Sequence, residues 1–400
     1  MPAAAPPPRM SAADLRGWGR LAVDATLGLT DVVEAMHGQI AWLPPPFAPA
    51  PGERTRGLTG AVYGSVRGVT RLVGLGVDAA LGSARGDAPR SARREAIVAA
   101  LNGVVGDHLA ASDNPLAIPM RLRRDGRPLE LEPRALAAAL PDAGGRVLLL
   151  VHGACRDDLG WRRGGHEHGA ALARDLGLTP VHLHYNTGLH VSTNGRALAA
   201  LLEALVRAWP VPLEELSVLA HSMGGLVARS ACAHAEGAGH GWTRRLRSMV
   251  FLGTPHHGAP LERGGSLLHL ALGVSRYSAP LARLGRLRSA GVTDLRHGSL
   301  LDEDWLGCDR FAPGRRPRPV PLPTGVRCHA VAGALVDGAP GVQLLGDGLV
   351  SIDSALGRHP DPARDLAFPE ERRFVARGVG HLDLLCDAAV YGAIGGWLQG

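Results

Sequence analysis

The stretch Leu216-Ser-Val-Leu-Ala-His-Ser222-Met-Gly-Gly225, followed by Leu226-Val-Ala-Arg-Ser-Ala231, decides the fold of this chain. The apolar run before Ser222 predicts a strand and the residues after it predict a helix, so the serine falls on the turn between them. Ala220 and Gly224, two residues to either side of the serine, leave room for the close approach of that strand and helix. Such a turn strains the serine backbone and exposes its hydroxyl beside the first amides of the helix.

Composition limits the class of protein before any further motif is considered. The chain has 400 residues and a mass of 41.8 kDa, with 46% hydrophobic and 20% charged residues, which predicts one to three globular domains. Its 43 basic residues are all arginine and lie in scattered pairs, so the net charge of +6 forms no concentrated basic patch. We therefore expect no nucleic-acid partner and at most a weak attraction to anionic membranes.

The cysteines and the N-terminus limit the cofactors and the compartment. Five cysteines without a C-x-x-C pair predict neither a metal site nor a disulfide framework, and no residue set suggests a cofactor. Cys308 and Cys328 flank a Pro/Arg-rich loop and are the pair that an oxidising compartment would join. Residues 1–10 lack a signal-peptide pattern, and no uncharged apolar stretch is long enough to span a bilayer. We expect a cytoplasmic protein, with membrane association and export left open.

Residues 1–10 are rich in Pro and Ala and are predicted to be a disordered tail. Residues 11–111 are predicted to be helical, with helices over 11–41, 58–82 and 90–111. The first helix places these apolar residues near one face: Leu21, Ala25, Leu29, Val32, Val33 and Met36. In the second helix, glycines at 60, 64 and 68 form a stripe that favours close helix packing. The alternative is that residues 11–82 attach to a membrane or another apolar surface.

Residues 112–400 alternate between strand and helix patterns, after a hairpin signal at Asp125-Gly126. The predicted strands cover residues 146–151, 180–185, 215–220, 247–252, 326–332 and 372–377, and the predicted helices cover 167–176, 195–208, 223–235 and 382–398. The unbroken apolar run Val147-Leu-Leu-Leu-Val151 is typical of a strand buried on both faces. We therefore predict an α/β fold with a doubly wound, mostly parallel sheet, a helical N-terminal extension, and a cap or lid insertion at about 259–324.

Two backbone amides are candidates for stabilising an oxyanion. His152-Gly153 follows the buried strand directly, and a glycine there lets the chain turn across the carboxyl edge of the sheet. The next amide, at Ala154, is then expected beside Ser222. Together with the amide of Met223 it would form a two-donor oxyanion hole.

The base and the acid are sought after the serine, in the order that this architecture requires. His381 lies in Gly378-Val-Gly-His-Leu382, between the last predicted strand and the last predicted helix, and is the candidate base. Asp347, between two glycines, is the candidate acid that orients the imidazole. Its rivals are Asp337, in an identical Asp-Gly pair, and Asp353. Other nearby histidines have competing explanations from their positions: His152, His221, His256 and His257.

With these residues in hand, the chain resembles the α/β-hydrolase superfamily, and within it bacterial serine lipases and esterases and the related PGAP1-like hydrolases. The resemblance covers about residues 117–400 and is carried by Val147–Gly153, Ala220–Gly225, Leu252–Gly258, Asp347–Val350 and Gly380-His381. It implies that Ser222 is the nucleophile, Asp347 the acid and His381 the base. Ala220 stands where glycine is usual, as it does in some lipases. Some of those lipases bind calcium or zinc, but no ligand cluster is recognised here.

The motifs together predict a serine hydrolase that cleaves carboxylic esters through an acyl-enzyme. Leucines of the insertion suggest a lipid-like or apolar acyl substrate, although they could equally pack the cap: Leu267, Leu268, Leu270, Leu272, Leu281, Leu284 and Leu287. Acyl transfer and polyester depolymerisation with the same triad remain open. A different class of function would make the N-terminal helices the functional part, in a protein that binds membranes or partners.

Overall fold

The computed structural model describes residues 11–41, 55, 57–82, 91–259, 288–309, 316–335 and 346–399. These residues form two compact units. The first contains the described residues up to 95 together with 108–117, and the second contains 96–107, 118–259 and the described residues from 289 onwards. The predicted tail at 1–10 and the lid leucines lie outside the described residues. The domain boundary predicted near residue 112 stays a prediction.

The first unit is built on two long helices, α1 (Ala12–Ala41) and α2 (Gly57–Gly82), as the sequence predicts. They are joined by ion pairs, since both Arg16 and Arg20 contact the carboxylate of Asp78 at 2.6 Å. Gly74 of α2 lies so close to Val23 of α1 that an added Cβ would come within 2.9 Å of it. The two helices therefore pack through a small-residue contact and a charged cluster.

The glycine stripe of α2 is expected to favour close packing against another helix, but two of its three glycines make no such contact. An added Cβ at Gly64 or Gly68 would meet nothing within 4 Å, so these glycines face open space. The apolar side chains of this face are exposed: Val62, Val66, Val69, Leu72, Val73, Leu75 and Val77. On α1, Leu29 and Val33 are exposed while their neighbour Val32 is buried, so the apolar residues expected near one face of α1 differ in burial.

The helix α3 (Ala92–Ala111) begins at Ser91, whose side chain accepts the amide of Arg94, and it is kinked at Val105. Its middle residues belong to the second unit. There an added Cβ at Gly103 would lie 2.2 Å from the sulfur of Cys155. Glycine at this position lets α3 approach the turn that follows the third strand of the sheet.

The second unit contains an eight-stranded sheet. Its strands are β1 (Arg121–Arg124), β2 (Arg127–Pro128), β3 (Arg146–Val151), β4 (Thr179–His184), β5 (Glu215–His221), β6 (Leu246–Leu252), β7 (Arg327–Ala334) and β8 (Arg373–Arg377). The spatial order is β2-β1-β4-β3-β5-β6-β7-β8. The hairpin β1–β2 and the β1–β4 pair are antiparallel, and the remaining pairs are parallel.

Helices cover both faces of this sheet. They are α4 (Pro133–Ala139), α5 (His168–Leu176), α6 (Val191–Ala208), α7 (Met223–Ala238), α8 (Ala290–His297), α9 (Ile352–Ala355) and α10 (Ala388–Gln399). Along β3 the side chains alternate between two buried clusters, with Leu149 facing the α6–α7 side and Leu148 the α5–α10 side. Each fully buried leucine contributes roughly 1.5–3 kcal/mol, so this strand anchors both layers.

The register of the parallel strands brings their carboxyl ends to one edge. Val151 at the end of β3 pairs with Ala220 of β5, and His221 pairs with Leu252 at the end of β6. The loops that follow β3, β5, β6, β7 and β8 therefore meet at the same edge of the sheet. Such loops are where open α/β sheets bind ligands.

This strand order, with helices on both faces and a serine on the turn after β5, is the α/β-hydrolase fold that the sequence predicts. The main differences are local. The helix α6 begins at Val191 rather than 195, the last helix begins at Ala388 rather than 382, and part of the expected insertion is the helix α8. Cys308 and Cys328 are both free. In the part of the chain that the structure describes, no helix has the length and hydropathy needed to cross a membrane.

Candidate active site

Ser222 lies on a strained turn between β5 and α7. Its φ of 54° and ψ of −126° are in a region that residues other than glycine rarely adopt. The turn is held by two hydrogen bonds, from the Ser222 amide to the carbonyl of Leu252 at 2.8 Å and from the Gly225 amide to the Ser222 carbonyl at 3.0 Å. Backbone strain of this kind costs on the order of 1–3 kcal/mol and persists only where the surroundings enforce it.

Small residues are needed around this turn because two backbones meet there. An added Cβ at Gly224 would lie 2.4 Å from the carbonyl oxygen of Val151, and one at Gly153 would lie 2.9 Å from Cβ of Ser222. The start of α7 therefore packs directly on the turn that follows β3. This contact brings the segment of the predicted oxyanion donor Ala154 beside the serine.

His381 and Asp347 are brought together at the same edge. The Nδ1 atom of His381 lies 2.6 Å from Oδ2 of Asp347, and both side chains are buried. Because the carboxylate accepts, Nδ1 carries the proton, which leaves Nε2 of His381 as the proton acceptor. This is the tautomer that a general base for a serine hydroxyl requires.

The loop that carries Asp347 fixes its carboxylate. Oδ1 accepts the amides of Leu349 and Val350 at 3.0 and 2.8 Å, while Oδ2 is left for His381. Gly253, at the end of β6, has a φ of 56°, and an added Cβ would lie 2.9 Å from Oδ2 of Asp347. Any side chain at Gly253 would therefore push against the carboxylate–imidazole pair.

His221 holds the backbone of the candidate base. Its Nε2 lies 3.0 Å from the carbonyl oxygen of His381, and the two rings are 4.6 Å apart. The amide of His381 donates to the carbonyl of Asp347 at 3.0 Å. The loop position of His381 is thus fixed from both sides, which the sequence did not indicate, because the partners are 160 and 34 residues away.

The remaining candidates lie elsewhere or have other partners. Asp353 is exposed and faces Arg358 at 3.7 Å, and Asp337 lies outside the described residues. The ring of His152 stacks on Tyr185, and His256 contacts the guanidinium of Arg229. The structure therefore brings Ser222, Asp347 and His381 to one edge, and it places none of the other described candidates beside the imidazole of His381 except His221.

Burial keeps His152 and His221 neutral. It lowers the pKa of His152 to about 3. Burial, together with the nearby imidazole of His381, lowers the pKa of His221 well below its usual range. Neither imidazole can therefore take up a proton near neutral pH. Their roles are structural, in packing on Tyr185 and in hydrogen bonding to the loop of His381.

The predicted oxyanion donors carry unused hydrogen-bonding capacity. Neither the amide of Ala154 nor that of Met223 donates to an acceptor among the described residues. Backbone N–H groups left unpaired beside a nucleophile are the usual components of an oxyanion hole.

Two side chains of the segment after β4 hold the turn that carries Ala154. The hydroxyl of Tyr185 donates to the carbonyl of His152 at 2.8 Å, and the amide of Cys155 donates to Oγ1 of Thr187 at 3.1 Å. These bonds fix the turn on both sides of Ala154. Tyr185 and Thr187 are both fully buried, and no local sequence pattern indicates either role.

The structure shows no hydrogen bond between the Ser222 hydroxyl and the imidazole of His381 within the described residues. Hydrogen bonds between a general base and the group it deprotonates are often long in structures without ligands. Within the same residues no group of three or more His, Cys, Asp or Glu side chains is arranged to hold a metal ion.

Comparison with protein families gives one match. Residues 124–278 match a family described as a domain of unknown function, DUF7379. No curated protein is significantly similar to the chain in sequence. The match covers the sheet from β2 to β6 and the turn of Ser222, and it assigns no activity.

The chain is similar in structure to several solved lipases and esterases. With a Bacillus licheniformis lipase, BlEst2 in its mature form, it shares 17% identity at a TM-score of 0.41, over 70% of this chain and 98% of the other. With a Pyrococcus furiosus esterase, Pf2001, it shares 14% identity at a TM-score of 0.34, over 64% of this chain and 82% of the other. With an Aspergillus fumigatus lipase B it shares 11% identity at a TM-score of 0.38, over 96% of this chain and 80% of the other. At such values these similarities decide nothing about the activity of this chain.

Proposed function

We propose that the chain is a serine hydrolase that cleaves carboxylic esters through an acyl-enzyme. Ser222 attacks the ester carbonyl and His381 takes its proton through Nε2, while Asp347 orients the imidazole and stabilises its cation. The amides of Ala154 and Met223 stabilise the negative charge on the carbonyl oxygen. His381 then protonates the leaving alcohol. Water, activated by the same imidazole, attacks the acyl-enzyme and regenerates Ser222.

The observation that carries this proposal is the buried pair of His381 and Asp347 at 2.6 Å, at the edge where Ser222 occupies a strained turn. A surface Asp–His pair would not require Gly253 to make room for it or His221 to hold its backbone. The alternative structural role, a simple turn-stabilising pair, leaves the strain at Ser222 unexplained. Membership of the bacterial serine lipases and esterases, with the PGAP1-like hydrolases, is part of the proposal.

The first experiment measures hydrolysis of p-nitrophenyl esters from C2 to C16 by the wild type and by Ser222→Ala. We expect activity in the wild type and a loss of at least about 10³-fold in the variant, since both the nucleophile and the acyl-enzyme are removed. Ser217→Ala, five residues earlier on β5, is the matched control and should retain activity. Full activity of Ser222→Ala would contradict the proposed mechanism.

The substrate class is the finer part of the proposal, and lipid-like or apolar esters are favoured. The reason is the leucine-rich composition of the insertion between residues 267 and 287, a stretch that lies outside the described residues. An activity optimum at C8 or longer would support a lipase, and an optimum at C2 to C4 would support a short-chain esterase. Products formed in the presence of competing alcohols or thiols separate hydrolysis from acyl transfer, because a transferase would form the new ester or thioester.

We also propose that the first unit contacts lipid surfaces through α2. Its exposed face, Val62 to Val77, carries seven branched aliphatic side chains, of which Val69 and Leu72 are 61% and 70% exposed. Helical spacing places Val62, Val66, Val69, Val73 and Val77 on one stripe, while the exposed Arg71 lies on another side of the helix, next to Leu75. A helix of this kind binds in the interface plane of a bilayer without spanning it. A cytoplasmic protein that docks on membranes in this way fits lipid-like substrates.

Flotation with liposomes tests this second proposal. The wild type should rise with the vesicles, and Val69→Lys combined with Val73→Lys should stay in the soluble fraction, because two charges would have to enter the apolar interface. Val211→Lys, at an exposed valine before β5, is the control for added charge and should float like the wild type. Equal recovery of the wild type and the double variant in the soluble fraction would exclude the idea.

A further inference from the structure

A cleft in the second unit is lined by basic side chains and includes none of Ser222, Asp347 and His381. Its cavity volume is about 120 Å³, and it opens to solvent. Its walls come from α7, the turn after β6, the end of α8, the segment 317–321 and the segment 363–366. Three arginines and three histidines line it: Arg229, Arg318, Arg364, His256, His257 and His297.

The single acidic side chain in this lining, Asp365, is used within its own loop. Its Oδ1 accepts the amide of Ala367 and its Oδ2 accepts the amide of His359. Both of its oxygens are thus committed to backbone donors. Asp365 still adds one negative charge to the wall, and Arg364 faces Asp361 at 3.9 Å. Among the described residues no ion pair joins a carboxylate to Arg229 or Arg318, so the cleft keeps an excess of positive charge.

Arg229 is the most unusual member of the cleft. It is 3% exposed, its Nη2 donates to the carbonyl of Val320, and its Nη1 lies 3.2 Å from Nδ1 of His256. Within the described part of the chain no carboxylate contacts its guanidinium, and its Nε has no hydrogen-bond partner. Burial lowers its pKa to about 10, so it stays charged at neutral pH. A buried charge without a counter-charge is strongly unfavourable in a protein interior.

His256 adds a second donor beside Arg229. Because its Nδ1 accepts from the guanidinium, the proton of the neutral ring lies on Nε2. That Nε2 also lacks a partner among the described residues, and the ring is buried. Arg229 and His256 thus present donors without acceptors in the same wall.

We infer that this cleft binds an oxyanion of the phosphate type, either free phosphate or the terminal phosphate of a small phosphomonoester. Such an anion supplies the counter-charge that Arg229 lacks and accepts from several N–H donors at once. Arg318 is exposed at the rim, and Arg364 is tied to the same rim, since its Nη2 donates to the carbonyl of Pro317 at 2.7 Å. Both arginines lie where they can complete the charge pairing. The bound anion would link the segments 317–321 and 363–366 to α7.

Thermal unfolding of the full chain at constant ionic strength tests this site. Inorganic phosphate should raise the Tm of the wild type by about 5 °C at roughly 100 times its Kd, and the rise should follow the logarithm of its concentration above the Kd, because a ligand that binds only the folded state stabilises it. Glycerol 3-phosphate is the probe for a phosphomonoester, and sodium chloride is the reference. A rise in Tm with both phosphate compounds, beyond that in sodium chloride, assigns the site to the phosphate group itself. A response to glycerol 3-phosphate alone assigns it to the ester.

The variant Arg318→Gln/Arg364→Gln should lose the response to phosphate, measured as the difference between its own Tm in phosphate and in chloride. Arg207→Gln, on the exposed face of α6, is the matched control and should respond like the wild type. Arg229→Met removes the buried charge and should also abolish the response if it folds. The inference is overturned if the Tm follows ionic strength whichever anion is present, or if the double variant responds like the wild type. None of these readouts depends on ester hydrolysis.

Discussion

At the scale of single residues, the site depends on positions where a Cβ atom has no room. Gly224 lies between the start of α7 and the carbonyl of Val151, whereas Gly237, near the end of the same helix, meets nothing within 4 Å. The two glycines have the same intrinsic helix propensity. The difference in the free energy of unfolding between their alanine variants therefore reports the cost of the close approach at Gly224. This makes them a matched pair for testing how tightly the turn of Ser222 is built.

Gly224→Ala is expected to destabilise the protein by about 3 kcal/mol, because the methyl group would meet immobile backbone at 2.4 Å. Gly237→Ala is expected to stabilise it by roughly 0.5–1 kcal/mol, the usual gain from replacing an exposed helical glycine. Urea denaturation of both variants measures these differences. Similar stabilities for the two variants would show that the turn can move away from α7.

At the scale of elements, the segment after β4 positions the turn after β3. Thr187 accepts the amide of Cys155, which has a φ of 58°, a left-handed conformation that a non-glycine residue adopts only when it is held. Thr187→Val keeps the size of the side chain but removes this acceptor. The amide of Ala154 would then lose its fixed direction.

Thr187→Val is therefore expected to lower kcat for ester hydrolysis roughly tenfold to a hundredfold with little change in KM, since the oxyanion forms only in the transition state. Thr187→Ser keeps the hydroxyl and should restore most of the activity. Binding of a boronic acid, whose adduct with Ser222 carries an oxygen in the same hole, should weaken in parallel with kcat. A change in KM alone would assign Thr187 to general packing instead.

The elements differ in how far the sequence reveals them. The run Val147 to Val151 identifies β3 because a strand buried on both faces needs apolar side chains at every position. The same reasoning misleads for α2, where periodicity identifies an apolar face but not whether that face is packed or exposed. Asp347 and Asp337 both lie in an Asp-Gly dipeptide, and the dipeptide alone cannot choose between them. The roles of His221, Tyr185 and Thr187 depend on partners far along the chain, which no local pattern encodes.

At the scale of the whole molecule, many histidines are buried without charge. Burial lowers the pKa of His168 and of His329 to about 4, and that of His152 to about 3. The unfolded chain binds protons at these positions below about pH 6.5, whereas the folded chain does not until about pH 4. Stability contributed by such groups is fully present above pH 6.5 and is lost as the pH falls towards 4. The fold is therefore expected to be sensitive to mild acid.

His329 offers the cleanest test of this expectation. It lies on β7, its ring stacks on Trp397 at 4.6 Å, and both of its ring nitrogens lack hydrogen-bond partners among the described residues. Since its pKa falls from 6.5 to about 4, it should account for a loss of about 3 kcal/mol in the free energy of unfolding between pH 7.5 and pH 4. His329→Phe keeps an aromatic ring against Trp397 and removes the titrating group. Urea denaturation at half-unit steps of pH should then give a slope about 1.2 kcal/mol per pH unit shallower than that of the wild type between pH 6 and 4.5. Equal slopes for the two proteins would mean that His329 titrates alike in the folded and unfolded chains, and that the acid sensitivity has another origin.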